Sequence, residues 1–101
     1  MRILIVSDIH ANRAALEAIQ EPFDICLCLG DLVEYGPSPG ACIAWVRQHA
    51  TVSVRGNHDH GAVQRVDVRA TGGFKYLTQA TRPATIERLS EQDRRFLAEL
   101  P

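Results

Sequence analysis

The sequence predicts an α/β fold built on a parallel sheet, and three apolar runs carry that prediction. Residues 2–7, 24–29 and 51–55 are rich in branched or sulfur-containing apolar side chains, and each run is followed by a polar turn. A segment compatible with a helix separates each run from the next. This is the pattern of strand–helix–strand units with right-handed crossovers. We therefore expect three parallel strands, with the first buried on both faces.

Helix signals lie between these strands. Asn12 can cap a helix that ends before Pro22. Ser38 followed by Pro39 is typical of a helix start, because proline fits the first helical position. We expect this second helix to extend to about Gln48.

The last third of the chain carries packing signals. Gly72-Gly73 interrupts residues 67–80, and Ser90-Glu-Gln-Asp93 resembles a capping box before a final helix. We expect one domain over residues 1–101, with strand–helix units over 1–60 and a helical remainder over 61–101. Beyond about Asp67 the sequence indicates packing and solubility, not chemistry.

Composition excludes several classes of function. The chain has 101 residues, 11 Lys+Arg against 12 Asp+Glu, and 46% apolar residues, as in an ordinary globular domain. A net charge of −1 gives no general attraction to nucleic acid or to an anionic membrane. The first apolar run, Ile3 to Val6, is shorter than the roughly 7–15 residues of a secretion signal. We expect a cytoplasmic protein that binds no membrane.

The three cysteines indicate buried thiols. Cys26 and Cys28 are two residues apart in a predicted strand and therefore share one face, and Cys42 lies in an apolar context. No second cysteine pair completes a zinc site. We expect reduced, buried thiols, which favours a reducing compartment.

Polar side chains follow all three predicted strands. They are Asp8-Ile9-His10, Gly30-Asp31 and Gly56-Asn57-His58-Asp59. Each group alone is explained as well by a cap or a turn. Together they should converge, because the carboxyl ends of parallel strands lie along one edge. Carboxylate, amide and imidazole ligands suit Mn²⁺, Fe²⁺ or Zn²⁺, and one aspartate could bridge two ions about 3.5–4 Å apart.

These three groups resemble the D-x-H, G-D and G-N-H-[DE] blocks of the calcineurin-like metallophosphoesterases. Ser7-Asp-Ile-His-Ala-Asn12 and Gly30-Asp-Leu-Val-Glu-Tyr-Gly-Pro37 are similar to the small bacterial phosphodiesterase branch. The resemblance implies a four-layer α/β/β/α sandwich, of which this chain would form the parallel-sheet N-terminal half.

The resemblance also implies ligands and an activity. Asp8 and His10 would hold a first metal, Asp31 would bridge two, and Asn57 would bind the second, the ions being Mn, Fe, Zn or Ni. The implied reaction is hydrolysis of phosphomonoesters or phosphodiesters by a hydroxide that bridges the metals.

Two further residues have implied roles in catalysis. His58 would contact the phosphate and act as general acid, and Glu34 would orient it. The family's phosphate-binding arginine is replaced by Tyr35. The nearest cations in sequence, Arg13 and Arg55, are better explained as surface or packing residues.

The sequence departs from the family pattern in its histidines. Family members usually supply three more metal-binding histidines from a C-terminal half, and here no histidine follows His60. We therefore expect a half-domain that is a fragment, a truncated product, or a subunit completed by another chain or a second copy. The isolated chain should bind metal weakly and turn over little.

Two other functions compete with this one. A non-catalytic half-domain could keep these ligands by descent and serve in binding or assembly. A phosphoacceptor receiver domain also places an aspartate after a parallel strand, but it needs a lysine after a later strand. The only lysine, Lys75, lies in a region without a strand signal, which argues against the receiver domain.

Overall fold

The computed structural model describes residues 1–69 and 72–101. Within those residues the secondary-structure elements follow one another in this order: β1 (Ile3–Val6), α1 (Arg13–Glu17), β2 (Ile25–Cys28), α2 (Pro39–His49), β3 (Val52–Ser53), α3 (Asn57–Gln64), α4 (Gly73–Arg88) and α5 (Glu91–Glu99).

The strands of the described chain form one parallel sheet in the order β1-β2-β3, which confirms the predicted fold class. Val6 pairs with Cys28, and Cys28 pairs on its other side with Ser53. β3 is shorter than the predicted run, although the N–H of Val54 still donates to the carbonyl of Cys28, at 3.0 Å. The N–H of Arg55 donates instead to the carbonyl of Pro101, at 2.7 Å.

The expectation that β1 is buried on both faces is wrong. Ile3 and Ile5 are 54% and 59% exposed. Successive strand residues point to opposite faces, and the apolar core lies on the other face, where Leu16 of α1, Cys28 of β2 and Ile43 of α2 pack together. The sheet is therefore covered by helices on one face and bare on the other.

Local capping fixes two of the predicted helix starts. The side chain of Asn12 accepts the N–H of Ala15 at 3.1 Å and caps α1. At α5, Ser90 and Asp93 exchange the two hydrogen bonds of a capping box, at 3.0 and 3.3 Å. Ser38 precedes α2 as predicted, but its hydroxyl makes no capping bond to that helix.

The cysteines are buried and free, as the sequence predicts. Cys26 and Cys28 lie on the helix-covered face of β2 and are 0% and 1% exposed. No helix among the described residues combines the length and the apolar character that a bilayer crossing requires.

Candidate metal centre

The loops after the three strands converge at the carboxyl edge of the sheet. His10 lies after β1, Asp31 after β2, and His58 after β3. Each of these three side chains offers one ligand atom, and those atoms all lie within 4.8 Å of one another. This triad is the structural core of the candidate site.

Main-chain hydrogen bonds hold the first two loops against each other. The N–H groups of Asp8 and His10 donate to the carbonyls of Gly30 and Asp31, at 3.1 and 3.0 Å. Several residues here have φ values between 47° and 76°, a region that side chains other than glycine disfavour. They are Asp8, His10, Ala11, Asp31, Glu34 and Tyr35.

The ring of His10 is fixed in a ligand-ready orientation. Its Nδ1 lies 2.9 Å from the carbonyl oxygen of Val33, and a carbonyl can only accept, so Nδ1 carries the proton of the neutral ring. A metal-ligating histidine commonly anchors its second nitrogen in this way. The other nitrogen, Nε2, lies 3.6 Å from Oδ1 of Asp8.

Asp8 is exposed and ionised. The hydroxyl of Ser7 donates to its carboxylate at 2.6 Å, and this bond is the main reason that the pKa of Asp8 lies below its ordinary value. Nε2 of His10 and the carboxylate of Asp8 lie side by side, and imidazole and carboxylate groups together suit divalent ions such as Mn²⁺, Fe²⁺ or Zn²⁺. The donor set therefore fits a divalent ion.

Asp31 is held where the second and third loops meet. Its Oδ1 accepts the main-chain N–H of His58 at 3.0 Å. Gly56 packs so closely that a Cβ added there would collide with the Asp31 carboxylate and its main-chain nitrogen. The missing side chain of Gly56 thus makes room for the aspartate.

Asp59, the other acid of the third loop, does not face the triad. It is fully buried and accepts four main-chain N–H bonds, from residues 31, 32, 33 and 56, at 2.8–3.2 Å. Burial raises the pKa of Asp59, and these four donors act against that shift. Asp59 ties the loop after β2 to the loop after β3.

The structure places Glu34 beside His58. Nδ1 of His58 lies 2.8 Å from Oε1 of Glu34, whose side chain is fully buried. On the other side of the ring, Nε2 lies 3.5 Å from the hydroxyl of Tyr35. The ring of His58 is also close to that of His10, with centroids 4.8 Å apart.

The remaining candidate ligand and the two nearby arginines lie around the triad. Asn57 is exposed at the first position of α3 and, beside His58, lines a cavity of about 450 Å³. Arg13 pairs with Glu17 at 2.6 Å, and Arg55 donates to the carbonyl of residue 98, so both are occupied away from the site.

Helix α4 contributes groups that the sequence did not reveal. Arg82 forms an ion pair with Glu34 at 2.6 Å, and the hydroxyl of Thr78 lies 3.0 Å from that of Tyr35. Hydrogen bonding to Glu34 is the main reason that the pKa of Arg82 is raised. No local motif marks Arg82. The only hint was Glu34 itself, because an acid beside the buried run Leu32-Val33 requires a partner.

Fold and site together define a class of α/β proteins that gather imidazole and carboxylate groups at the carboxyl edge of a parallel sheet. The chain belongs to the calcineurin-like phosphoesterase family, which it matches over residues 1–98. Membership confirms the family to which the three sequence blocks pointed, and it makes the chain a member of a family of phosphoester hydrolases that use divalent metal ions.

Solved structures agree with this assignment. A metallophosphoesterase from Sphaerobacter thermophilus superposes with a TM-score of 0.81 at 37% identity, covering 100% of this chain and 42% of that one. A candidate diadenosine tetraphosphatase gives a TM-score of 0.70 at 29% identity, covering 99% of this chain and 43% of that one.

A sequence relative extends the comparison. The uncharacterized protein MJ0912 of Methanocaldococcus jannaschii is 39% identical in a 66-residue alignment that covers 60% of this chain and 27% of that protein. The present chain thus spans less than half the length of each of these relatives.

Proposed function

We propose that this protein is a metal-dependent phosphoesterase that hydrolyses phosphomonoesters or phosphodiesters. The observation that carries the proposal is the convergence of His10, Asp31 and His58 within 4.8 Å at the edge of the sheet. Family membership supports the reaction class.

The ligands we propose come from all three loops. Asp8, His10 and Asp31 hold one divalent ion, and Asp31 and Asn57 hold a second, the ions being Mn, Fe, Zn or Ni. When bound, such ions activate water and neutralise charge on the phosphoryl oxygens. The chain's own contribution is to hold these ligands ready, as the anchored ring of His10 and the bonded carboxylate of Asp31 illustrate.

His58 is the general acid of the proposal. Its Nδ1 is engaged by Glu34, so Nε2 is the nitrogen that can meet the leaving oxygen. A histidine has an ordinary pKa near 6.5 and can be protonated near neutral pH. The buried carboxylate of Glu34 lies against Nδ1 at 2.8 Å and holds the ring in place.

A second role for His58 is that of a metal ligand through Nε2, since that residue is part of the triad. The two roles differ in what His58→Ala changes. Loss of a ligand weakens metal binding, whereas loss of a general acid lowers kcat and leaves metal affinity nearly unchanged.

One observation favours a different function. The four histidines of the sequence all lie at or before residue 60, so few imidazoles are available for two ions. A non-catalytic half-domain that serves in binding or assembly is therefore the second candidate. It would keep some metal affinity and show no turnover.

The test is titration with Mn²⁺ by calorimetry, together with hydrolysis of bis-p-nitrophenyl phosphate. We expect wild-type protein to bind Mn²⁺ and to hydrolyse the ester slowly, and Asp31→Asn to lose both properties. His49→Ala is the matched control, because His49 lies at the end of α2 against Trp45. Binding without turnover would favour the half-domain, and equal activity in wild type and Asp31→Asn would exclude this site.

The remaining expectations are part of the same proposal. We expect a phosphoester substrate, a cytoplasmic location, and no general binding to nucleic acid or membranes. The site is completed by a second copy of the chain or by a further half of the domain.

A further inference from the structure

Helix α4 reaches the candidate site through one deeply buried ion pair. Glu34 is fully buried, and Arg82 is 8% exposed. The guanidinium donates from Nε to Oε2 of Glu34 at 2.6 Å and from Nη2 to Oε1 at 2.7 Å. This is the two-pronged geometry that arginine, but not lysine, forms with a carboxylate.

The rest of the guanidinium is also fixed. Nη1 of Arg82 donates to the carbonyl of Val66 at 3.0 Å. Gly61 of α3 packs against the guanidinium so closely that a Cβ there would collide with it. All three nitrogens of Arg82 are therefore engaged, and the group has no freedom to rotate.

Stability alone is a poor explanation for this pair. Removing two charges from water costs more than their attraction commonly returns, so an apolar pair of similar size would serve a fold at least as well. Glu34 also has φ of 76°, an unfavourable conformation for glutamate. An arrangement that is costly in two ways calls for a role at the adjacent site.

That role follows from Oε1 of Glu34, the oxygen that contacts both Arg82 and His58. Oε1 of Glu34 accepts from Arg82 and also lies 2.8 Å from Nδ1 of His58. Both oxygens of Glu34 accept N–H groups of Arg82, so Glu34 is the acceptor in its bond to His58. The proton shared with His58 therefore lies on Nδ1, and Nε2 is the nitrogen on the side of the Tyr35 hydroxyl.

We infer that Arg82 is a positioning residue, which holds Glu34 as a fixed acceptor and so selects the tautomer and orientation of His58. Its importance for turnover rests on the proposed phosphoesterase activity, but its effect on His58 does not. Without Arg82, the side chain of Glu34 would be free to turn away from Nδ1, and either nitrogen of the His58 ring could then carry the proton.

The test compares Arg82→Met and Arg82→Lys with wild type. The ring nitrogens of His58 are observed by long-range ¹H–¹⁵N correlation in metal-free protein, at a fixed pH where the ring is neutral. Arg88→Met is the matched control, because Arg88 is exposed on the same helix and makes one long bond, at 3.4 Å, to the carbonyl of Pro37.

We expect wild type and Arg88→Met to show His58 protonated on Nδ1 alone. Arg82→Met should show a mixture of tautomers, and its kcat on bis-p-nitrophenyl phosphate should fall about 10- to 100-fold with KM nearly unchanged, as for other residues that orient a ligand or an acid. Arg82→Lys keeps the positive charge but cannot bond both oxygens of Glu34 at once. It should therefore retain the Nδ1-protonated tautomer of His58 and lose a smaller part of kcat.

A folded Arg82→Met protein with the wild-type tautomer overturns the inference. If circular dichroism shows that Arg82→Met does not fold, Arg82→Lys decides. A wild-type kcat in Arg82→Lys would show that the two-pronged bond to Glu34 has no role. If wild type neither binds Mn²⁺ nor hydrolyses the ester, the proposed function fails, and the tautomers still decide the role of Arg82.

Discussion

At the scale of single residues, neighbours in one motif have different tasks. His58 faces the triad, whereas Asp59, the next residue, is turned inward and bonds to the main chain of two loops. The sequence places both after the third strand, but it cannot show which side chain turns inward. That choice depends on the four N–H groups that surround Asp59, and three of these come from residues 28, 27 and 26 positions away.

Asp59→Asn tests whether the buried side chain of Asp59 stabilises the fold by joining the two loops. The amide has nearly the same shape, but one acceptor oxygen becomes an NH₂ donor that faces main-chain N–H groups. We expect the free energy of unfolding to fall by about 2–4 kcal/mol, from two buried donors left unsatisfied. Urea denaturation followed by circular dichroism measures it. Asp67→Asn, at an exposed position, should change little, and an equal effect in both variants would contradict the role.

Cys42 gives a prediction about pH. Burial raises the pKa of its thiol from the ordinary value of 9.0 to about 11. Between these values the thiol of the unfolded chain ionises while that of the folded chain does not. The unfolded state therefore gains stability, and the free energy of unfolding should decline as pH rises from about 9 towards 11.

The measurement is urea denaturation at pH 8, 9.5 and 10.5, for wild type and for Cys42→Val. Valine has no proton to lose, so the decline in that variant should be smaller. Identical pH dependence in the two proteins would show that the Cys42 thiol ionises as easily in the folded state as in the unfolded state.

At the scale of elements, the sequence predicts the positions of the strands well, but its prediction that β1 is buried on both faces is wrong. Each observed strand lies inside its predicted apolar run. The two faces of β1 could not be told apart, because the run Ile3 to Val6 has apolar side chains on both. Whether a face is covered depends on which elements pack against it, and periodicity within one strand does not contain that information.

Helix α4 contributes a residue to the site that no local sequence pattern identifies. The sequence predicts a helical remainder over residues 61–101 with no chemistry beyond about Asp67, and the second part is wrong, because Arg82 of α4 bonds to Glu34. Arg82 lies 48 positions from Glu34, and ten of the eleven basic residues are arginine. Nothing local distinguishes the one arginine that turns inward, so only the packed structure identifies it.

The turn between β3 and α3 depends on a glycine. Gly56→Ala places a methyl group against Asp31, so we expect metal affinity to fall at least tenfold while the helical signal is retained. Gly72→Ala is a matched control, because a Cβ there meets nothing within 4 Å. Mn²⁺ calorimetry and circular dichroism on both variants provide the comparison. Unchanged affinity in Gly56→Ala would mean that Asp31 does not need this close approach.

At the scale of the whole molecule, one face of the sheet is bare and apolar. Several large side chains on or beside the strands are 37–59% exposed: Ile3, Ile5, Leu29, Val52 and Val54. A contiguous apolar surface of this kind is typical of an interface. We propose that a second copy of the chain or a further half of the domain covers this face.

We expect the chain to self-associate through this face. Sedimentation velocity at increasing concentration should show a shift from monomer to dimer, and Ile5→Lys should abolish the shift, since a buried unpaired charge is costly. Phe74→Lys is the control, because Phe74 is 77% exposed on α4 and lies outside the strands. Equal association in wild type and Ile5→Lys would exclude the sheet face as the interface.

The left-handed residues of the first two loops have a consequence for protein engineering. Asp8, His10 and Asp31 reach the site from main-chain conformations that ordinary strand–helix turns do not adopt. Grafting these three side chains onto the sheet edge of another α/β scaffold would therefore misdirect them. A successful transplant would have to carry the loops as a unit, together with Gly56 and the inward-facing Asp59 that joins them.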